Sequence, residues 1–340
     1  MSKRIGFFTR LLDKVPAAER YRLATRQIQH AEKLGFDSAW VAQHHFHESE
    51  GGLPSPLVFL AHVGAHTQRI RLGTGIITLP MENAVRVAED AAVTDLLLGG
   101  RLELGLGSGG TPSSFQNFGL TFAQRGEIFA EHLTTLQDAW QGRKLGDTEN
   151  YLYPAAATLA QKIWIATFSE RGAQLAGKAG HGLMLSRTQP RPVGQPHLAL
   201  DALQNPIIDA YLEALPRGVA PRILASRTAF VADDSDYARK VALPGLTAQA
   251  EGYRQAGHQL RGETLDDFIA QFDAHIGDPQ DVLNSLRRDS SLQRVTDISF
   301  QVHSVEPSHQ DVLRSLELLS RYINPELRKT TTIPELERSL

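Results

Sequence analysis

Histidines at positions 44, 45 and 47 are the side chains of this chain best suited to proton chemistry. They follow the apolar run Ser38–Val41, which predicts a strand, so they fall where a strand ends and a loop begins. A neutral imidazole has an unperturbed pKa of ~6.5 and can exchange protons near neutrality. Neighbouring residues of an extended segment point in opposite directions, so we expect only one of His44 and His45 to face a pocket.

Metal binding is a second interpretation of these histidines, because His45-Phe46-His47 has His-x-His spacing. Such a site needs further ligands from other strand ends, which here offer Thr167, Phe168, Ser186 and Arg187. Ligand supply therefore argues against a metal, and a metal-dependent hydrolase is a remote alternative. A purely structural role of the histidines also stays open.

A glycine-rich loop, Gly105-Leu106-Gly107-Ser108-Gly109-Gly110, formally matches the dinucleotide pattern G-x-G-x-x-G. That pattern must open a helix, and no helical periodicity follows until about Arg125. We interpret the loop as a nest of backbone amides that binds a phosphate together with Ser108. A tight turn without a ligand is the alternative.

A second anion site is predicted after the apolar run Ile163–Thr167. Ser169 is typical of a helix N-cap, and Gly172 and Ala173 behind it let a ligand approach the free amides of the first turn. Arg171 would add a positive charge. Because the two loops follow adjacent predicted strands, we expect them to form one phosphate cradle.

Loops of this kind need a scaffold that gathers several strand ends. Eight apolar runs alternate with helical patterns, which predicts a (β/α)8 TIM barrel. The predicted strands are Ile5–Phe8, Ser38–Val41, Ile70–Ile76, Leu102–Leu106, Ile163–Thr167, Gly182–Leu185, Ile223–Val231 and Ile298–Val302. The predicted helices are Ala18–Lys33, Pro56–His66, Ala84–Leu98, Arg125–Trp140, Glu170–Ala179, His197–Leu212, Asp236–Ala250 and Gln310–Tyr322.

The alternation loosens after the seventh strand. Residues 245–296 exceed what one barrel helix needs, and Asp278-Pro279 is a favourable helix start, so we predict an insertion of one or two helices. We expect one domain over residues 1–323 and a C-terminal tail over residues 324–340.

Two helical patterns, Pro56–His66 and Ala84–Leu98, are apolar on more than one side. A barrel helix needs one apolar stripe, so the excess predicts a homodimer, with coverage by the insertion as the alternative.

Composition limits the partners. The chain has 340 residues, 41% of them hydrophobic and 21% charged, with a net charge of −3 and no cysteine. The absence of a basic run argues against nucleic acid or an anionic membrane as partner. No stretch reaches the ~18 apolar residues of a membrane span, and the first residues contain no apolar signal-peptide core. We expect a soluble, cytoplasmic protein.

Taken together, these residues resemble the bacterial-luciferase-like flavin-dependent monooxygenases. The resemblance runs from Ile5 to about Arg101 and returns around Ser169 and at Gly277-Asp278-Pro279. Its strongest marks are Glu32-Lys33-Leu34-Gly35-Phe36-Asp37, His44-His45-Phe46, Thr67-Gln68-Arg69-Ile70-Arg71-Leu72-Gly73-Thr74, Ala88-Glu89-Asp90, Asp95 and Gly100-Arg101.

The resemblance implies a (β/α)8 barrel, FMN as cofactor and a dimer. By analogy, His44 assists the peroxyflavin, and the bond between Thr74 and Gly75 is a non-prolyl cis peptide under the flavin ring. The residues that fall where the family binds the FMN phosphate are Ser108, Gly109, Ser169 and Glu170. Three positions depart from the family pattern: Gln43 replaces a frequent glutamate, Asn83-Ala84 a frequent His-Pro, and Leu98 a common serine.

The implied function is oxygenation of a small organic substrate by O2 and reduced FMN through a peroxyflavin intermediate. No convincing nicotinamide fingerprint remains in the chain, so a separate NAD(P)H-flavin reductase is expected to supply the reduced flavin. The substrate pocket is expected to be lined partly by Phe7, Phe8, Phe46 and Met184. A deazaflavin-dependent dehydrogenase or reductase and a non-catalytic flavin-binding protein are the alternatives.

Overall fold

The computed structural model of the protein describes residues 2–329, and within them ten strands form one parallel sheet. The strands are β1 (Arg4–Thr9), β2 (Ser38–Val41), β3 (Arg71–Thr74), β4 (Ile77–Thr78), β5 (Leu102–Gly107), β6 (Ile163–Ala166), β7 (Gly182–Leu185), β8 (Ile223–Val231), β9 (Ala274–Gly277) and β10 (Asp297–Gln301). Pairing of β10 with both β1 and β8 closes the sheet into a barrel. The predicted (β/α)8 barrel is therefore confirmed.

Helices follow the barrel strands and cover their outer face. They are α1 (Ala17–Lys33), α2 (Pro56–Ala65), α3 (Ala84–Leu97), α4 (Pro112–Asn117), α5 (Arg125–Trp140), α6 (Glu170–Lys178), α7 (Leu200–Ala214), α8 (Ser235–Gln255), α9 (Leu265–Gln271), α10 (Pro279–Arg287), α11 (His309–Leu318) and α12 (Asn324–Lys329). No helix within residues 2–329 is long and apolar enough to cross a bilayer.

Large side chains fill the barrel interior. Trp40 and Trp164 meet edge to face with ring centroids 5.8 Å apart, and Phe8 packs against the same cluster as Met184. Phe7 belongs instead to the larger hydrophobic core and is fully buried there. The prediction that Phe7 lines the substrate pocket is wrong, because successive residues of a strand face opposite sides of the sheet.

The third barrel strand is interrupted, although the sequence predicts one strand over Ile70–Ile76. The chain leaves the ladder after Thr74 and rejoins β5 as β4. The non-prolyl cis peptide joins Gly75 to Ile76, one bond later than the predicted position between Thr74 and Gly75. Thr74 is still paired with Val41 of β2, and the Gly75 N–H donates to the Val41 carbonyl at 2.7 Å, so the chain turns only beyond Gly75.

The insertion after the seventh barrel strand contains a strand as well as helices. Strand β9 pairs with the outer half of β8, from Thr228 opposite Ala274 to Val231 opposite Gly277. The sequence predicted only helices here, because four residues carry too little alternation to indicate a strand. Helix α10 begins at Pro279 as predicted, with Asp278 Oδ1 accepting from the Asp281 N–H at 2.9 Å.

Helix α4 corrects another expectation, that no helix begins between the glycine-rich loop and Arg125. It has six residues, starts at Pro112 directly after the loop and is too short to show an amphipathic period. Only the position of the loop, after the fourth barrel strand, now speaks against a dinucleotide fingerprint, which follows the first strand of its fold.

The last described segment passes from α11 through a π-helical turn, Leu319–Ile323, into α12. Helix α12 carries two buried residues, Asn324 and Leu327, and Arg328 donates to the Lys3 carbonyl at 3.2 Å. The predicted tail over 324–340 thus begins as a packed helix, and residues 330–340 lie outside the described part.

Candidate active site

The ends of β2, β3 and β5 surround a small cavity of about 140 Å³ at the carboxyl rim of the barrel. It is lined by Ala42, Gln43, His44, His45, Glu50, Gly75, Ile76, Thr78, Met81, Gly109, Gly110, Thr111 and Ser114. Both histidines therefore line one cavity. Residues 42–45 are not part of a strand and Phe46 has a φ of 66°, so strand alternation does not decide which ring faces it, and the expectation that only one imidazole faces a ligand stays a prediction.

His44 is held in an uncharged state. Its backbone N–H donates to the Leu53 carbonyl at 3.0 Å, and its Nδ1 lies 3.7 Å from a carboxylate oxygen of Glu50. Burial, followed by the charges of Arg10, His45 and Arg187, lowers the pKa of His44 to about 3. The ring can therefore donate or accept a hydrogen bond near neutrality, and it does so without a positive charge.

His45 and His47 have different surroundings. The His45 ring meets Phe118 edge to face at 4.9 Å, and its buried Nε2 has no hydrogen-bond partner among residues 2–329. Burial lowers the pKa of His45, and the charge of Glu82 opposes that shift. His47 is exposed and lines a different cavity. The described residues contain no group of three or more His, Cys, Asp or Glu side chains placed to hold a metal ion.

Gln43 supports the wall of the small cavity, a role that sequence analysis missed. Its Oε1 accepts from the Thr78 N–H at 2.7 Å, and its backbone N–H donates to the Ile76 carbonyl at 3.2 Å. Its Nε2 donates to Glu82 Oε1 at 2.5 Å and to the Pro54 carbonyl at 3.1 Å. A carboxylate, that of Glu82, therefore lies next to the amide at position 43. The departure from the family's frequent glutamate was the signal for this pair.

Thr74 uses its side chain to join two strands. The fully buried hydroxyl donates to the Gly105 carbonyl at 2.8 Å and accepts from the Gly105 N–H at 3.0 Å. It replaces ladder bonds where β3 leaves β5. A Cβ on Gly105 would lie 2.0 Å from the Thr74 carbonyl oxygen, so only glycine permits this approach. Because the Thr74 hydroxyl is engaged with Gly105, a cofactor could contact Thr74 only through its backbone.

Gly75 and Gly109 both line the small cavity, as the prediction of bare backbone requires. Gly109 has a φ of 79°, and a Cβ there would lie 2.5 Å from Cγ2 of Thr78. A side chain at this position would be both strained and obstructed. Glycine is therefore required at position 109, and a ligand in the small cavity would meet only backbone there.

Ser108, Ser169 and Glu170 lie outside the small cavity but on the same rim. Pairing of β5 with β6 places the loops that follow them side by side. Ser169 is the N-cap of α6, as predicted, and its Oγ accepts from the Gly172 N–H at 3.1 Å. Glu170 is the exposed first residue of that helix. Phosphate binding by these loops stays a prediction.

A larger cavity of about 1020 Å³ opens on the other side of the segment that carries the histidines. It is lined by Arg10, Leu12, Lys14, Val15, Pro16, Arg20, Phe46, His47, Glu48, Ser49, Arg187, Gly245, Ala248, Gln249, His303, Ser304 and Glu306. Of the aromatic and methionine side chains expected in a substrate pocket, Phe46 lines this cavity. Phe8 and Met184 pack in the barrel interior.

The sequence of the chain matches that of known oxidoreductases. The family profile described as luciferase-like monooxygenase matches residues 5–293. The 4-hydroxyprotoasukamycin monooxygenase of Streptomyces nodosus subsp. asukaensis is 32% identical over 204 residues, which cover 56% of this chain and 55% of that protein. Limonene 1,2-monooxygenase of Rhodococcus erythropolis is 31% identical over 182 residues, which cover 51% of this chain and 46% of that protein. The chain spans about half the length of these curated relatives.

Solved structures agree on the fold over nearly the whole chain. Monooxygenase RslO1 from Streptomyces bottropensis superposes with a TM-score of 0.75 at 24% identity, covering 95% of this chain and 99% of that one. The oxygenating constituent of 3,6-diketocamphane monooxygenase from Pseudomonas putida, in complex with FMN, has a TM-score of 0.74 at 18% identity, and the match covers 96% of this chain and 98% of that one. An F420-dependent secondary alcohol dehydrogenase has a TM-score of 0.72 at 18% identity, and the match covers 96% of this chain and 100% of that one. Because the family profile extends over most of the sequence, the chain belongs to the luciferase-like monooxygenases.

Proposed function

We propose that this protein is the oxygenase component of a two-component system that uses reduced FMN and O2 to oxygenate a small organic substrate. The observation that carries the proposal is one cavity lined by His44 and His45, whose pKa values burial lowers, and by Gly75 and Gly109. Bound FMN would supply the activation of dioxygen. The sequence relatives at 31 to 32% identity are named monooxygenases, which favours oxygenation over hydride transfer with a deazaflavin.

The residues at the rim fit such a cofactor. At Gly109 a Cβ would meet Thr78 and Phe115, so glycine lets the loop pack closely against these side chains. Beside Gly110, which also lines the small cavity, the position of a Cβ is open space, so a planar ring or a phosphate could approach the backbone there. Gly75 and the backbone of Thr74 would hold the ring. The backbone amides and hydroxyls that would hold the phosphate belong to Ser108, Gly109, Ser169 and Glu170.

His44 would act through its neutral imidazole. With a pKa of about 3, it carries no imidazolium proton near neutrality, so we assign to it hydrogen bonding through its N–H and not proton donation. The aromatic group formed by His45, Phe46 and Phe118 lies beside the same cavity, with its ring centroids 4.9 to 5.8 Å apart. We assign to this group the exclusion of water from the reacting atoms.

The experiment measures FMN binding and oxygenated product separately. The purified chain is supplied with FMN, NADH, O2 and a flavin reductase, and products from a panel of organic substrates are identified by mass spectrometry. H44A is expected to bind FMN as the wild type does and to form product at least ~100-fold more slowly, because a hydrogen-bond donor to the reacting atoms is lost. The matched control is H197A, which alters an exposed histidine outside both cavities.

Each alternative has its own outcome in this experiment. Anaerobic turnover with reduced coenzyme F420 as hydride donor would replace the proposal by a deazaflavin-dependent reductase, and anaerobic turnover with oxidised F420 as hydride acceptor by a dehydrogenase, provided that FMN and O2 give no product. Binding of FMN without any product that depends on His44 would indicate a flavin-binding protein without catalysis. Equal product from H44A and H197A would remove the role assigned to His44.

We also propose a homodimer formed through α2 and α3. Val58 on α2 and Val93, Leu96 and Leu97 on α3 are exposed by 46 to 73%, so the inserted segment does not cover them. Apolar side chains grouped on two packed helices are typical of a protein interface. L97E is expected to dissociate a dimer in sedimentation velocity, whereas L175E, which alters an exposed leucine on α6, is expected to leave it intact. A monomeric wild-type chain would contradict this.

A further inference from the structure

The large cavity carries more positive charge than its own acidic groups neutralise. Four cationic side chains line it: Arg10, Lys14, Arg20 and Arg187. Two of them are already paired, because Arg20 Nη2 lies 2.8 Å from Glu48 Oε1 and Lys14 Nζ lies 2.7 Å from Glu306 Oε2. These two pairs use both carboxylates of the cavity wall. Two guanidinium groups remain.

Arg187 has the larger unused capacity of these two. Within residues 2–329 its only hydrogen bond is from Nη1 to Thr228 Oγ1, at 3.3 Å. The acid that acts on it, Asp273, is already bound to Arg191 at 2.5 Å and to Thr188 at 2.9 Å. Burial and the charge of Arg10 lower the pKa of Arg187 to about 10, and Asp273 opposes this shift. A guanidinium has five N–H donors, and most of those of Arg187 have no acceptor here.

Arg10 is the second such group, and it acts on Arg187 electrostatically. Its Nη2 donates to the backbone carbonyl of Glu50, but its buried Nε has no partner in the described part of the chain. Both arginines also lower the pKa of His44, so all three groups lie within electrostatic range of one another. The Glu50 carboxylate acts on Arg10 and that of Asp273 on Arg187, but within residues 2–329 neither forms an ion pair with these arginines. An anion bound to both guanidinium groups would compensate their repulsion directly.

We propose that Arg10 and Arg187 bind the carboxylate of the organic substrate, so that this enzyme acts on organic acids. The inference rests on the proposed function, because it assigns the large cavity to the substrate and the small one to the flavin. A carboxylate matches the planar fork of a guanidinium and accepts two parallel hydrogen bonds. The acid end would lie in the arginine-lined cavity, and the remainder of the molecule would extend past Phe46 toward His44.

The experiment compares acids with neutral molecules of the same shape. Equilibrium binding of octanoate and phenylacetate, and of octanamide and phenylacetamide, is measured by calorimetry on the full chain with and without FMN. Both acids are expected to bind at least ~10-fold more tightly than their amides, as expected for charge-assisted hydrogen bonds. R187Q is expected to abolish the preference, and R187K, which keeps the charge but not the fork, to retain part of it.

The matched control is K14Q, which removes another positive charge from the same cavity. The Lys14 side chain is 75% exposed and already paired with Glu306. This variant is expected to keep the preference for acids. The proposal is overturned if neither acid binds better than its amide, or if R187Q keeps the preference with an unchanged denaturation midpoint. It is also overturned if R187Q weakens FMN, since the arginines would then hold the cofactor phosphate. Failure to bind FMN would contradict the proposed function alone, because acid binding is also measured without it.

Discussion

The two sides of the barrel rim differ in how they use their polar groups. The glycine side, formed by the ends of β2, β3 and β5 around the small cavity, engages Thr74 and Gln43 within the protein and leaves one ring nitrogen, His45 Nε2, without a partner among the described residues. The hydroxyl of Thr74 joins β3 to β5, and the amide of Gln43 is bound at both its oxygen and its nitrogen. The arginine side, around the large cavity, leaves donors of Arg10 and Arg187 unused.

This difference is the one that the two proposed ligands would require. Where side chains are bound within the protein, a ligand meets backbone and shape, which suits a cofactor of constant structure. Where charges are left over, a ligand is selected by its own charge, which suits a substrate. Four variants test this distinction, from the largest expected effect to the smallest.

G105A should break the glycine side. Its Cβ would lie 2.0 Å from the backbone oxygen of Thr74, and backbone on two paired strands cannot move aside cheaply. We expect the free energy of unfolding to fall by more than about 3 kcal/mol, measured by urea denaturation. G110A is the control, because its Cβ would meet open space. Equal stability of the two variants would show that the close approach of β3 and β5 is not tight.

T74V tests the side-chain link between these strands. Valine keeps the shape of threonine but leaves the Gly105 N–H and carbonyl without their partner, so we expect a loss of about 2 kcal/mol. T74S keeps the hydroxyl and should lose less. If T74V and T74S denature at the same urea concentration, the hydroxyl does not carry the link.

Q43E restores the family's frequent glutamate and should nevertheless destabilise the protein. The new carboxylate would face Glu82 in place of the donor that now lies 2.5 Å from it, and we expect a loss of about 1 to 2 kcal/mol near neutral pH. Adding E82Q removes the repulsion and should recover most of that loss. Strictly additive losses in the double variant would contradict the pairing of positions 43 and 82.

R187Q should change the titration of His44, which connects the two sides electrostatically. Because Arg187 is one cause of the low pKa of His44, its removal should raise that pKa, while burial, the largest cause, keeps it below the ordinary value. NMR titration of the imidazole signals measures the shift. K14Q is again the control, and an unchanged His44 pKa in R187Q would show that the two sides do not interact.

The sign of the accompanying stability change follows from linkage. The folded-state pKa of His44 is about 3 and its ordinary value is 6.5, so the unfolded chain takes up the proton first as the pH falls. The contribution of this group to stability is complete above pH 6.5 and is lost progressively as the pH falls toward 3. Urea denaturation should show a smaller acid loss in R187Q, because its folded-state pKa is higher.

Local patterns in the sequence predicted most of the scaffold. The alternation of apolar runs with helical periods predicted the barrel, and the N-cap at Ser169 and the helix start at Pro279 were confirmed. Elements too short to show a period, such as α4 and β9, were missed. The positions of His44 and Gly109 at the rim also followed from the sequence, because each comes after a predicted strand.

The sequence by itself therefore determined the barrel and the strand ends at which ligands can bind, since periodicity and turn chemistry act over a few neighbouring residues. Only the tertiary structure decided how the polar groups are used. It placed both histidines around one cavity, engaged the Thr74 hydroxyl with Gly105 and left Arg10 and Arg187 without an ion pair among the described residues. Hydrogen bonds and charge pairs between distant segments form only when the barrel closes, and no local pattern records them.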